Sequence, residues 1–141
     1  MTLADVNVLA AAFRGDAVGH ELCREWLRRT LLSEARFGVS SQVLAAVVRI
    51  TTNGKIFDPP SALNESLEFC ESLVEHPRAI IVQPGVRHWE IFTDLCRSGR
   101  AKGNLVSDAW FAALAIESAC EWITLDRDFA RFPGLSWSMP N

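Results

Sequence analysis

The sequence predicts an α/β fold built around a mostly parallel sheet. Short apolar runs of strand length alternate with longer stretches of helical periodicity, the pattern of strands joined by helical crossovers. The opening run, TLADVNVL, has the near-continuous apolar character of a central strand buried on both faces. A chain of 141 residues suits one domain with its own core, so a single domain is expected over residues 1–141.

The elements follow in order. After the first strand, apolar residues recur at Val18, Leu22, Cys23, Trp26, Leu27 and Leu31, while His20, Glu21, Arg24, Glu25, Arg28 and Arg29 face away. That is an amphipathic helix over 18–32. RFGVS (36–40) is a second strand, and Ser40 or Ser41 caps the helix QVLAAVVRITT, which Asn53-Gly54 ends. A third helix opens after two prolines with a serine cap, repeats apolar residues at Leu63, Leu67, Cys70, Leu73 and Val74, and stops before Pro77. AIIVQPG (79–85) is a strand, followed by a helix ending in Gly99. NLVSDAWFAALAIESAC, apolar on most sides, is a buried helix with Asn104 as its expected cap. EWITL and GLSW (134–137) are the last strands.

Composition narrows the class of function. Hydrophobic residues make up 49% and charged residues 22%, so neither disorder nor a fibrous repeat is indicated. No apolar stretch approaches the roughly 20 residues of a membrane span, and the N-terminus lacks a secretory pattern, which implies no membrane partner and a cytoplasmic location. Net charge is −3, which argues against nucleic-acid binding by overall basicity and leaves room for local patches. Cys23, Cys70, Cys96 and Cys120 form no C-x-x-C pair and occupy apolar helical positions, as reduced core thiols do. The scattered His20, His76 and His88 match no zinc spacing.

Three aspartates sit where a core should discourage them. Asp5 interrupts the first apolar run; a buried unpaired carboxylate costs several kcal/mol unless protonated, paired or metal-bound, the alternative being an Asx-turn helped by Asn7. Asp108 lies in the first turns of the most apolar helix, where the helix dipole alone would stabilise it. Asp126 directly follows EWITL, at the carboxyl end of a strand, whereas Asp128 is placed to cap the turn FARF or support its neighbour. In a parallel α/β sheet the ends of these strands and the start of the Asp108 helix share one edge, where ligands bind. Clustered carboxylates repel one another, and Mg²⁺ or Mn²⁺ suits an all-oxygen set of this kind. Hydrolysis of a phosphodiester is the chemistry such a set serves.

On four blocks, LADVNVLAAAF, VRITTNGKIF (48–57), GNLVSDAWFAALAIE (103–117) and ITLDRDFARFPGLSW (123–137), the chain resembles the PIN-domain ribonucleases, specifically the VapC toxins of bacterial toxin–antitoxin pairs. The resemblance spans nearly the whole chain. It implies a three-layer α/β/α fold and an Mg²⁺- or Mn²⁺-dependent endoribonuclease acting on tRNA or rRNA. It also implies a VapB-like antitoxin that blocks the site, and a homodimer. The family's metal-holding aspartates carry over to Asp5, Asp108 and Asp126 as catalytic and metal residues. Asn7, Asn104 and Thr124 match recurrent polar neighbours, with Asp128 as a further supporting group.

One departure matters. PIN domains commonly add a glutamate on the helix after the second strand, yet no acidic residue lies between Phe37 and Phe57 here. Gln42 is the only long polar side chain near the expected place, and an amide is no base or charge-balancing ligand. A catalytically weak or inactive PIN-like protein that binds RNA or a partner is therefore the alternative; a phosphatase or receiver-type domain ranks last. Arg97, Arg100 and Lys102, in a glycine-flanked loop before the Asp108 helix, are candidates for RNA phosphates or a solvated loop, as are Arg49 and Lys55. Trp26, Trp89, Trp110 and Trp122 are expected in core or interface. Apolar faces on the helices at 18–32 and 61–75 exceed what a small sheet needs, which hints at a dimer.

Overall fold

The computed structural model describes all 141 residues. In chain order the elements are β1 (Thr2–Ala4), α1 (Val6–Phe13), α2 (His20–Leu32), β2 (Phe37–Val39), α3 (Ser41–Thr51), α4 (Leu63–Val74), β3 (Ala79–Ile81), α5 (His88–Ser98), α6 (Asn104–Glu117), β4 (Glu121–Ile123) and β5 (Trp137–Ser138). A short 3-10 helix, Arg127–Arg131, links the last two strands. The five strands form one all-parallel sheet in the order β3-β2-β1-β4-β5. β1 is the centre. Its register sets Ala4 beside Ile123 of β4, and Leu3 beside Gly38 of β2.

Right-handed crossovers dictate the layers. Moving from β1 to β2 to β3 carries α1–α4 over one face, where α1 packs on α2 and α3, and α3 on α4. The return from β3 to β4 carries α5 and α6, packed together, over the other. The expected three-layer α/β/α arrangement is therefore present. No helix is long and apolar enough to cross a membrane.

The first apolar run departs from its expected strand. Only Thr2–Ala4 is strand; Asp5, still extended at φ −70° and ψ 159°, caps α1, its Oδ1 accepting from the Val6 N–H at 2.6 Å. A continuous apolar run does not distinguish a buried strand from a buried helix, and here Val8–Ala12 are buried on α1. An aspartate before an apolar run is also an N-cap signal, which the reading of Asp5 as an interruption of a strand passed over.

Ser40 caps α3 as expected, its Oγ accepting from the Val43 N–H. Ser61 does not cap α4, whose N-cap Ala62 offers no side chain; Ser61 accepts from Arg14 instead. Asn104 is already helical in α6, and the cap position belongs to Gly103.

Side-chain packing matches the strand burial. Trp122 is fully buried in an aromatic column that runs from Phe111 through Trp122 and Phe129 to Phe132, with centroids 5.5, 5.5 and 5.8 Å apart. Ala109, Ala112, Ala113 and Ala115 let α6 lie close to its neighbours. Cys23, Cys70 and Cys120 are buried free thiols and Cys96 is half-buried. Of the tryptophans expected in core or interface, Trp89 is outside the core of the single chain, 71% exposed. At Gly38 any Cβ would stand 2.9 Å from Val82 and 3.2 Å from the Thr2 carbonyl oxygen, so β2 needs glycine there to lie against both neighbours.

Candidate active site

Strand order reverses beside β1, since β2 leaves on one side and β4 returns on the other. That is the switch point at which a parallel α/β sheet opens a crevice beyond its carboxyl ends. Asp5 follows β1 directly, and Asp126 stands three residues past the end of β4. Asp108 comes from the second turn of α6. All three carboxylates line one open pocket of about 470 Å³.

Asp5 is 7% exposed and fully engaged. Its backbone N–H donates to the Ile123 carbonyl at 2.8 Å, locking β1 to β4. The Thr124 hydroxyl donates to Asp5 Oδ2 at 2.6 Å. Thr124 Oγ1 accepts in turn from Asn7 Nδ2 at 3.3 Å and from the Asp126 N–H at 3.0 Å, which leaves the hydroxyl proton for Asp5. Asn7 Oδ1 accepts from the Leu125 N–H at 3.1 Å, so its amide is used at both ends. Asp126 Oδ1 accepts from the Asp128 N–H at 2.8 Å and caps the 3-10 helix. The cap expected of Asp128 thus belongs to Asp126, and Asp128 is exposed.

Burial is the main reason the Asp5 carboxyl is pushed up from 3.8 to about 6, with Asp108 and Asp126 adding repulsion against the Thr124 and Val6 donors. Asp108 is raised by burial first, then by Asp126 and Asp128, with Arg131 opposing. The site thus gathers three acids that no salt bridge pairs.

No three His, Cys, Asp or Glu side chains converge closely enough to enclose an ion as they stand. Oxygen donors that line an open pocket without closing on a point still suit Mg²⁺, which keeps several waters and uses one or two carboxylates. The donor set therefore fits a hard divalent ion.

The remaining candidates divide. Asn7 and Thr124 belong to the network that holds the carboxylates, whereas Asn104 is exposed and absent from the pocket lining. Arg97 lies in the last turn of α5, not in the loop, and pairs with Asp94 at 3.8 Å, while Arg100 and Lys102 lie between α5 and α6; all three are outside the lining. Gln42 is exposed and does not line the pocket; α3 presents Ala46, Arg49 and Ile50 to it instead. Phe57 adds an aromatic wall that sequence reading missed, although it stands within the VRITTNGKIF block. Helical spacing was the available signal, because residues 46, 49 and 50 share one face of α3.

Comparison with known proteins bears on the fold and the family. The PIN domain family model matches residues 2–135. Ribonuclease VapC25 of Mycobacterium tuberculosis is 40% identical over 140 residues, 99% of each chain, and Ribonuclease VapC43 of the same species is 36% identical, covering 99% of this chain and 95% of that protein. Among solved structures, VapBC2 from Rickettsia felis bound to a promoter DNA fragment aligns with TM-score 0.70 at 17% identity, over 99% of this chain and 98% of the other. DNA-bound VapBC from Salmonella typhimurium gives 0.69 at 18% identity over the whole of both chains. At these identities the structures speak for the fold. The family model and the sequence relatives together show that the chain belongs to the PIN-domain family, in its VapC branch.

Proposed function

We propose that this protein is a metal-dependent endoribonuclease toxin of the VapC type, hydrolysing RNA phosphodiester bonds and inhibited by a cognate VapB-like antitoxin. The observation that carries the reading is the meeting of Asp5, Asp108 and Asp126 in one pocket at the switch point of the sheet. Support comes from relatives that bear the name Ribonuclease VapC at up to 40% identity over nearly full length.

In this reading Asp5, Asp108 and Asp126 hold one or two Mg²⁺ or Mn²⁺ ions. Such an ion supplies an acidified water and neutralises charge that develops on phosphoryl oxygens. The protein's own part is orientation. Thr124 and the Val6 N–H fix both oxygens of Asp5, and Thr124 positions the backbone from which Asp126 projects. Asp108 stands on a rigid buried helix. The open pocket admits a single RNA strand, and tRNA or rRNA loops provide such strands.

An acidic pocket also accepts a basic side chain, which is how an antitoxin segment would occupy it. Exposed apolar residues on α2 and α4, Leu22, Leu32, Leu63, Leu67 and Val74, offer area for that partner or for a second copy in a homodimer.

The test is incubation of purified protein, free of antitoxin, with a tRNA and rRNA pool. Mg²⁺, Mn²⁺ or chelator is present, and the Asp5→Asn variant runs alongside. Discrete metal-dependent fragments that vanish in the variant are expected. Undiminished cleavage by the variant sinks the site assignment. A second reading, binding without cutting, is favoured by Ala46, which puts a methyl group on the pocket wall contributed by α3. Bound metal and a native fold with no fragments from any RNA would select it.

A further inference from the structure

The α3 side of the pocket carries a cation and an aromatic ring whose chemistry the three carboxylates do not use. Arg49 lines the pocket and is exposed, and its side chain takes part in none of the ion pairs or hydrogen bonds of the fold. Several surface arginines are tied down by contrast: Arg28 pairs with Glu25, Arg78 with Glu34 and Arg87 with Glu90. Arg49 shares a pocket with three acids and still forms no bridge to them, so its guanidinium is available to an anion.

Phe57 lines the same pocket, half-buried, on the segment between α3 and α4. One side of its ring is covered by the Arg14 guanidinium, 4.6 Å from the centroid. Arg14 is itself fixed, donating to Asp16 at 2.7 and 2.9 Å, to Ser61 Oγ at 3.0 Å and to the Pro59 carbonyl at 2.9 Å. The clamp ties the segment carrying Phe57 to the α1–α2 connection. It holds the ring against the pocket with no other aromatic residue stacked on it.

We propose that Arg49 and Phe57 clamp single-stranded RNA in the pocket, Arg49 on a backbone phosphate beside the scissile one and Phe57 under a base. This rests on the nuclease reading above. The chemistry of each group supports it. Guanidinium forks match phosphate oxygens, an aromatic face accepts any base, and a pocket of about 470 Å³ has the size of a nucleotide site. A carboxylate wall alone would repel the RNA backbone; Arg49 offsets that repulsion where the strand enters. Arg49 also lies in the last turn of α3, where a cation favours the helix dipole. That role moves stability and leaves RNA affinity alone.

The test measures binding apart from cleavage. The Asp108→Asn protein, in chelator, is titrated with a short fluorescein-labelled single-stranded RNA of mixed sequence at several salt concentrations. Arg49→Gln in that background weakens binding about tenfold and flattens the log–log salt dependence by about 0.7, the value for one phosphate contact on a single strand. Arg49→Lys keeps most of the slope. Phe57→Ala weakens binding about tenfold with the slope unchanged, and Phe57→Trp restores it. Melting curves confirm that each variant is folded, and the two conservative variants judge the proposal should an alanine or glutamine variant unfold. In the otherwise wild-type protein the Arg49→Gln and Phe57→Ala changes raise KM more than they lower kcat.

Unchanged affinity and slope in folded Arg49→Gln and Phe57→Ala proteins overturn the clamp, and RNA cleavage with unchanged KM does so while leaving the nuclease reading intact. RNA binding that depends on both residues in a protein that never cuts overturns the nuclease reading and leaves the clamp. A protein that neither binds nor cuts RNA overturns both.

Discussion

Thr124 donates its hydroxyl to Asp5 Oδ2 at 2.6 Å across a separation of 119 residues. This bond joins the ends of two neighbouring strands that come together only when the sheet closes. Thr124 also accepts from Asn7 and from the Asp126 N–H, so one hydroxyl orders three residues of the pocket. Thr124→Val keeps the shape and removes every one of these bonds. Leaving buried partners unsatisfied predicts a loss of about 1–3 kcal/mol in urea unfolding, with Thr124→Ser close to wild type. A Thr124→Val protein as stable as wild type would deny the hydroxyl this role.

Acid protects the metal-free protein at Asp5. Burial raises this carboxyl from 3.8 to about 6, so between those values the folded state binds more protons than the unfolded chain. The Asp5 contribution is therefore fully present below about pH 4. It is lost as pH rises to about 6 and is flat beyond, a change of about 3 kcal/mol at most. In chelator, Asp5→Asn should be more stable than wild type at pH 7 and no more stable at pH 4. Denaturant melts at the two values check the sign, and the difference between the proteins isolates Asp5 from the remaining carboxylates.

Ion binding should reverse that penalty. Mn²⁺ that binds the folded state alone stabilises it by about 2.7 kcal/mol at a concentration of 100 Kd. Wild-type melting temperature is expected to climb with Mn²⁺ at pH 7, and the rise to shrink sharply in Asp126→Asn. Equal rises in both proteins would remove Asp126 from the ligand set.

The sequence and the structure part company at identifiable places. The alternation of helices and strands was legible where a helix carries a clear apolar face, as α2 and α3 do. The run after Ala4 was not, because Val6–Phe13 is apolar on nearly every side and its length suits either state. Asp5, Asp108 and Asp126 stood out as charges in apolar surroundings. Thr124 was legible through family resemblance, while its bond to Asp5 depends on the pairing of β1 with β4. Gln42 drew notice as the only long polar side chain near the place of the missing glutamate, and Ala46 drew none; the helix turns Ala46 toward the pocket and leaves Gln42 out of its lining.

Ala46 gives the missing acid a physical test. Ala46→Glu adds a fourth carboxylate to the pocket wall. With metal, the extra ligand charge is expected to tighten Mn²⁺ binding about tenfold. Without metal, the added repulsion should lower the melting temperature and push the neighbouring carboxyls further up. Calorimetric titration with Mn²⁺ reads the first effect, and unchanged affinity would place residue 46 outside the reach of the ion.

Glu117 governs a joint on the sheet's other face. Its carboxylate accepts from the Gly85 N–H at 2.6 Å and the Arg87 N–H at 2.9 Å, so the last residue of α6 caps the segment that opens α5. Those backbone donors hold the Glu117 carboxyl below its usual range against a desolvation that raises it. Gly85 is needed for the approach, since a Cβ there would stand 2.7 Å from Glu117 Oε2. Glu117→Ala should therefore cost about 1 kcal/mol and speed amide exchange at Gly85 and Arg87. Gly85→Ala acts by displacing the same carboxylate, so the double variant should lose little more than either single one. Additive losses in that cycle would mean that the two residues stabilise α5 independently.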